Sequence, residues 1–127
     1  MYGPHLPVRD GAMAMVLVLE IMARGGKPLS ELFGELPRYA QMKDKVACPD
    51  ALKERVLEAL SGSLDSSCVE TIDGLKLYYP DGSWILMRPS GTEPAFRLYA
   101  EAKDKTRVGS LVEKHRKLIE EKIVSLG

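Results

Sequence analysis

Apolar positions along the chain fall into two regimes, a helical spacing at both ends and a two-residue alternation through the middle. Met13, Val16 and Leu17, with Met15, Val18, Leu19 and Met22, make the segment from Gly11 to Arg24 apolar nearly all round. Asp10 is placed to cap it and Gly25-Gly26 to close it. The spacing predicts a helix that a layered structure covers on more than one side. Leu29, Leu32, Phe33 and Leu36 follow at i, i+3, i+4 and i+7, which predicts a second short helix ended by Pro37. The pattern weakens from Arg38 to Cys48, where Tyr39, Met42 and Val46 are anchors and only the second half reads as a strand. Pro49-Asp50 then opens a helix, with Asp50 as cap and Leu52, Val56, Leu57 and Leu60 as its stripe. Ser61-Gly62-Ser63 ends it.

Alternation takes over next. Val69 to Ile72, Leu75 to Tyr79 and Ser83 to Met87 read as strands joined by turns at Asp73-Gly74 and Pro80-Asp81-Gly82. After the stretch Arg88 to Pro94, Phe96, Leu98 and Ala100 alternate with Arg97, Tyr99 and Glu101, a half-buried strand. Val108, Leu111, Val112, His115, Leu118, Ile119 and Ile123 mark a long closing helix. From about residue 40 onward the order is strand, helix, antiparallel strands, helix. The expected fold class is α+β, a mainly antiparallel sheet of about four or five strands with two helices on one face. A boundary near Pro37 to Lys45 separates a helical segment, residues 1–40, from a domain of residues 41–127.

Composition narrows the partners. The 127 residues allow one domain with a core and an attached segment. Acidic and basic residues number 18 each, so no global field draws nucleic acid or membrane, and any anion site must be local. The sequence lacks a basic, aromatic-studded strand face, which argues further against nucleic-acid binding by the sheet. Cys48 and Cys68 are too few for a disulfide framework and suit small buried hydrophobes in a reducing cytoplasm. The apolar run Ala12 to Ala23 is shorter than a bilayer span of about 20 residues, and Glu20 interrupts it. Asp10 and the lack of a small-residue cleavage site argue against a signal peptide.

The chemistry gathers in Arg88-Pro89-Ser90-Gly91-Thr92-Glu93-Pro94. At seven residues it is longer than a simple hairpin connection, commonly about two to five residues. One reading is a turn rich in turn-formers. The other is an anion cradle. Arg88 can grip a phosphate with parallel N–H bonds, Ser90 and Thr92 bring hydroxyl donors, and Gly91 lets the backbone approach. Pro89 and Pro94 limit the entropy lost on ordering. Arg97 either adds a second charge or stands solvated on its strand. Glu93 would repel a phosphate unless it turns away, either to pair with an arginine or to cap the loop's own amides; the second is expected, which makes Glu93 a shaping residue. No nucleophile–base grouping is visible, and no carboxylate cluster would hold Mg²⁺. His115 falls on the apolar stripe as a core or rim histidine, and His5 has no visible partner.

The run from Asp81 through Arg88-Pro89-Ser90-Gly91-Thr92-Glu93-Pro94 to Ala102 closely resembles the C-terminal domain of the α-D-phosphohexomutases. Arg9-Asp10-Gly11-Ala12 and Gly26-Lys27-Pro28-Leu29-Ser30-Glu31-Leu32 are similar to the helical close of that family's third domain. The resemblance implies a TBP-like closing domain in an enzyme that moves phosphate between the 1- and 6-positions of a hexose. It further implies a phosphoserine in the first domain, Mg²⁺ held by aspartates in the second and a sugar-reading loop in the third. By the same likeness Arg88, Ser90, Gly91 and Thr92, with Arg97 less firmly, hold the phosphate that does not react. Hexose phosphate and the remaining domains of a parent enzyme are the implied partners. The serine-loop, metal and sugar-reading motifs are not found here, so the isolated chain is expected to be inactive and to need no cofactor of its own. A free-standing phospho-ligand or regulatory module is the alternative.

Overall fold

A computed structural model describes residues 9–64 and 69–127, so His5 and Cys68 lie outside the described residues. The chain divides into two compact units, Met1–Arg38 and Tyr39–Gly127. The first holds helices α1 (Gly11–Gly25) and α2 (Leu29–Gly34). Asp10 caps α1 by accepting a 2.9 Å bond from the Met13 amide, and Gly26 closes it with φ at 61°. No residue of α1 is buried, although Met15, Val16, Leu19 and Ile21 are all more than half exposed hydrophobes. Within this unit Val18, Ile21, Leu29, Leu32, Phe33 and Leu36 line an apolar hollow of about 440 Å³.

The second unit is a two-layer α+β sandwich. Strand β1 (Ala40–Ala47) is followed by a 3-10 turn (Asp50–Leu52) and α3 (Lys53–Ser61). Then come β2 (Val69–Glu70), β3 (Leu75–Tyr78), β4 (Trp84–Pro89), β5 (Ala95–Ala102) and α4 (Lys105–Leu126). The sheet order is β1-β5-β4-β3-β2, antiparallel throughout. Alternation decides which side each residue takes. Leu75, Leu77, Ile85, Met87, Phe96, Leu98 and Ala100 face the helices and join Val56 and Leu60 of α3 and Val108, Val112 and Ile119 of α4 in one core. Phe96, Ile85 and Met87 are fully buried, each worth about 1.5–3 kcal/mol of burial. Asp104 starts α4 by accepting from the Arg107 amide at 2.8 Å.

Four local expectations change. Strand β1 runs the full Ala40–Ala47, paired residue for residue with β5 from Ala102 to Ala95. Its period is hard to see because Asp44 occupies a helix-facing position, where it pairs with Arg116 of α4. Strand β2 stops at Glu70 instead of reaching Ile72. Asp50 is not a side-chain cap for α3. It opens the 3-10 turn, and its carboxylate takes Lys53 Nζ at 2.5 Å. The stretch read as a seven-residue loop is shorter, because β4 continues through Arg88 and Pro89, paired with Arg97 and Phe96. Pro89 fits there since β3 stops pairing at Met87, leaving its missing N–H opposite no partner strand.

Pairing also builds what no single strand carries. The face opposite α3 and α4 collects Lys43 and Lys45 of β1, Arg97 and Tyr99 of β5, Trp84 and Arg88 of β4, and Lys76 and Tyr78 of β3. Lys76 lies 4.4 Å from the Trp84 ring and 4.9 Å from that of Tyr78. A basic, aromatic face therefore exists across strands, contrary to the expectation from the sequence. Glu70 and Glu101 temper it, bonding Tyr78 at 2.9 Å and Gln41 at 2.6 Å.

A candidate phosphate site at the β4–β5 hairpin

The hairpin loop is Ser90–Pro94. Its mouth is closed where the Ser90 amide donates to Ala95 O at 2.8 Å, and the end of β1 joins it through Cys48 N donating to Pro94 O at 2.9 Å. The Ala95 amide bonds back to Glu93 O at 2.8 Å, which folds the loop tightly on its last residues. Ser90 is buried, while Gly91 and Thr92 are exposed. The Thr92 amide stands 3.4 Å from Ser90 Oγ, so the hydroxyl turns across the loop and keeps its own proton free to donate. A side chain added at Gly91 would meet nothing within 4 Å, and its φ is not positive. The loop needs no glycine for its shape; glycine leaves the space over the backbone open.

The two arginines flank this loop on the face opposite α3 and α4, Arg88 directly across from Arg97. Each has one carboxylate partner. Arg88 pairs through Nη1 with Asp73 of the β2–β3 turn, and Arg97 Nη2 lies 3.3 Å from Glu93. Glu93 thus pairs with an arginine instead of capping loop amides as expected, because Arg97 at i+4 projects to the same side. Hydrogen bonding with Tyr99, and then the Glu93 charge, hold Arg97 above its ordinary pKa. Arg88 Nε is buried with no hydrogen-bond partner among the described residues. Lys43, Asp44, Lys45, Glu93, Arg97 and Tyr99 enclose a shallow hollow of about 360 Å³ next to it.

Two contributors escaped sequence reasoning. Lys53, at the start of α3, reaches under the loop and donates to Ser90 O at 2.5 Å and Glu93 O at 2.6 Å. A cation in a first helical turn opposes the helix dipole, and that misfit was its one visible signal. Asp73 lay in a turn and had none. Its neighbour Gly74 has φ at 103° and sits where a Cβ would fall 2.7 Å from Arg88 Cβ, so the turn is pressed against the strand that carries Arg88.

Other expected groups lie apart. His115 is 1% exposed on α4, its Nδ1 donating to Leu111 O at 2.7 Å and its Nε2 accepting from Tyr79 at 3.1 Å. Burial lowers its pKa first, opposed by the Leu111 bond and reinforced by Lys114 and Arg107. Cys48 is buried at 1% exposure, and burial pushes its thiol pKa up. Among the described residues no group of three or more His, Cys, Asp or Glu side chains is placed to hold a metal ion. Among them, too, no helix is long and apolar enough to cross a membrane.

Comparison with known proteins gives this hairpin its setting. Residues 40–118 match the family described as phosphoglucomutase/phosphomannomutase, C-terminal domain, and residues 1–39 match its alpha/beta/alpha domain III. The phosphoglucosamine/phosphogalactosamine mutase of Sulfurisphaera tokodaii is 42% identical over 96% of this chain and 27% of its own length. The probable phosphoglucosamine mutase of Methanothermobacter thermautotrophicus is 39% identical over 87% of this chain and 26% of its own. A solved phosphoglucomutase/phosphomannomutase family protein of Burkholderia thailandensis superposes with a TM-score of 0.67 at 27% identity, covering 89% of this chain and 24% of that one. The chain spans about a quarter of the length of these relatives. With its sheet order, its two-unit division and its Arg-Pro-Ser-Gly-Thr-Glu-Pro hairpin, this chain belongs to the α-D-phosphohexomutase family and corresponds to the C-terminal portion of its members.

Proposed function

We propose that the β4–β5 hairpin binds the phosphate of a hexose phosphate and orients the sugar for a phosphoryl transfer between its 1- and 6-positions, performed with the other domains of a phosphohexomutase. One observation carries this reading. Arg88 and Arg97 stand opposite each other beside an open backbone loop, with Arg88 Nε buried and without a hydrogen-bond partner among the described residues. Like charges placed directly across a strand pair are unfavourable by themselves, and a dianion between them reverses the sign. Binding energy from this remote phosphate can then orient the reacting end of the sugar. The relatives' names favour an amino sugar, glucosamine phosphate, over mannose or glucose phosphate. The mixed acidic and basic face suits a small anion better than a nucleic acid strand, whose many phosphates would meet Glu70, Glu93 and Glu101 as well.

The chain alone carries no nucleophile with a matched base at this site, so we expect it to bind without turnover and to act in the cytoplasm. Titration of ¹⁵N-labelled chain with glucosamine 6-phosphate should shift the Gly91 and Thr92 amides, and glucosamine itself should not. Equal response to both compounds removes the phosphate reading. A coupled assay on glucosamine 1-phosphate should show no product, and clear turnover by pure chain contradicts the division of labour.

A further inference from the structure

The Lys53 ammonium has three protons and three acceptors at bonding distance: Ser90 O at 2.5 Å, Glu93 O at 2.6 Å and Asp50 Oδ1 at 2.5 Å. Its side chain is only 11% exposed, so these bonds act with little competition from water. The consequence for the loop follows from peptide geometry. The described residues contain no cis peptide, and in a trans peptide the carbonyl and the next amide point in opposite directions. Holding Ser90 O toward α3 therefore turns the Gly91 N–H away from the helices, toward the open space in front of the loop. Holding Glu93 O fixes the other end, where Pro94 has no amide to turn. Ser90 and Glu93 bracket Gly91 and Thr92, so one cation from beneath sets the direction of the exposed backbone.

We propose that Lys53 is a positioning residue for the phosphate loop, an internal brace that keeps the Gly91 amide aimed at the ligand before the ligand arrives. This rests on the reading of the hairpin as a phosphate site. A loop held in its binding conformation loses less entropy on association, so the brace shows in affinity as well as in mobility. Asp50 completes it by taking the third proton.

The test compares the wild-type chain with Lys53→Met, of similar length and without charge or donors, using backbone ¹⁵N relaxation and titration with inorganic phosphate and glucosamine 6-phosphate. In the free Lys53→Met chain the Gly91 and Thr92 amides should gain fast motion while those of β4 and β5 keep wild-type values. Affinity for both anions should fall about tenfold. Lys53→Arg retains the charge and can donate to two carbonyls, and it should recover rigidity and affinity together. It also supplies a folded variant should the methionine chain not fold. Affinity that falls while the loop stays rigid makes Lys53 a distant charge and overturns the proposal. Unchanged motion and affinity overturn it with the site intact. A wild-type chain whose Gly91 amide ignores phosphate removes the site itself, and the role of Lys53 with it.

Discussion

Arg88 and Arg97 are direct cross-strand partners on the face of the sheet left uncovered by α3 and α4. Two guanidinium groups in that relation repel, and Asp73 and Glu93 each neutralise one of them from the side. Both arginine side chains remain more than one-third exposed. Arg88→Met and Arg97→Met should therefore separate binding from stability. Each should cost about tenfold to hundredfold in hexose-phosphate affinity, the range for a hydrogen bond to a charged group. The stability of the free chain should change by no more than about 0.5 kcal/mol. Calorimetric titration and urea unfolding on the same samples measure both, and stability lost with affinity intact would contradict the assignment.

The Asp73-Gly74 turn is the second support of Arg88, and its geometry admits only glycine. Gly74 has φ at 103°, and a Cβ there would fall 2.5 Å from Met87 O. Gly74→Ala should destabilise the chain by about 2–4 kcal/mol through strain and backbone displacement together. Gly82 provides the control. Its φ is 81°, but a Cβ there meets nothing within 4 Å. Gly82→Ala should cost only about 1 kcal/mol, the penalty of the left-handed conformation alone. Denaturation of the pair resolves the steric part from the conformational part.

What could be read from the residues follows from the range of the interactions concerned. Asp10, Gly26 and the stripe Val108 to Ile123 act within one helix, and the sequence places them well. Phe96, Leu98 and Ala100 alternate cleanly because β5 is central and covered by the helices on one side. Strand β1 was half hidden because Asp44 interrupts its inner face, and only Arg116, far along the chain, explains the carboxylate. The loop's residue types were legible, but its support was not. Lys53, Asp73 and the register that sets Arg88 against Arg97 are long-range relations, and local spacing does not encode them. The basic face was missed for the same reason, since its cations come from four different strands.

Residues 39–127 should fold without the preceding unit. The hydrophobic core begins at Val46 and runs to Ile119, with Ala40 as the first residue packed against it. None of the described residues of α1 is buried. Deleting residues 1–38 should leave a single cooperative transition and an unchanged Gly91 response to sugar phosphate. It should also lower self-association, because Met15, Val16, Leu19, Ile21 and Phe33 leave with the deleted segment. Loss of cooperativity in thermal unfolding would show that the core depends on residues before Tyr39.

His115 should make stability fall on mild acidification. It is 1% exposed, and burial holds its folded pKa below the ordinary value of 6.5, with Lys114 and Arg107 acting in the same direction. Its Nε2 accepts from Tyr79, a bond that the imidazolium cannot accept. In the unfolded chain the ring regains its usual affinity for protons, so below about pH 6.5 the unfolded state binds more of them and stability rises with pH. The contribution is fully present above that value. It fades as pH falls toward the depressed folded pKa, at a limiting slope of about 1.4 kcal/mol per pH unit. Urea midpoints measured between about pH 7.5 and 5.5 should decline for the wild type, within the window where a histidine titrates. They should stay nearly level for His115→Gln, even if that chain is less stable at neutral pH. His5 is common to both chains and cancels in the comparison, whereas parallel declines would assign the titration to another group.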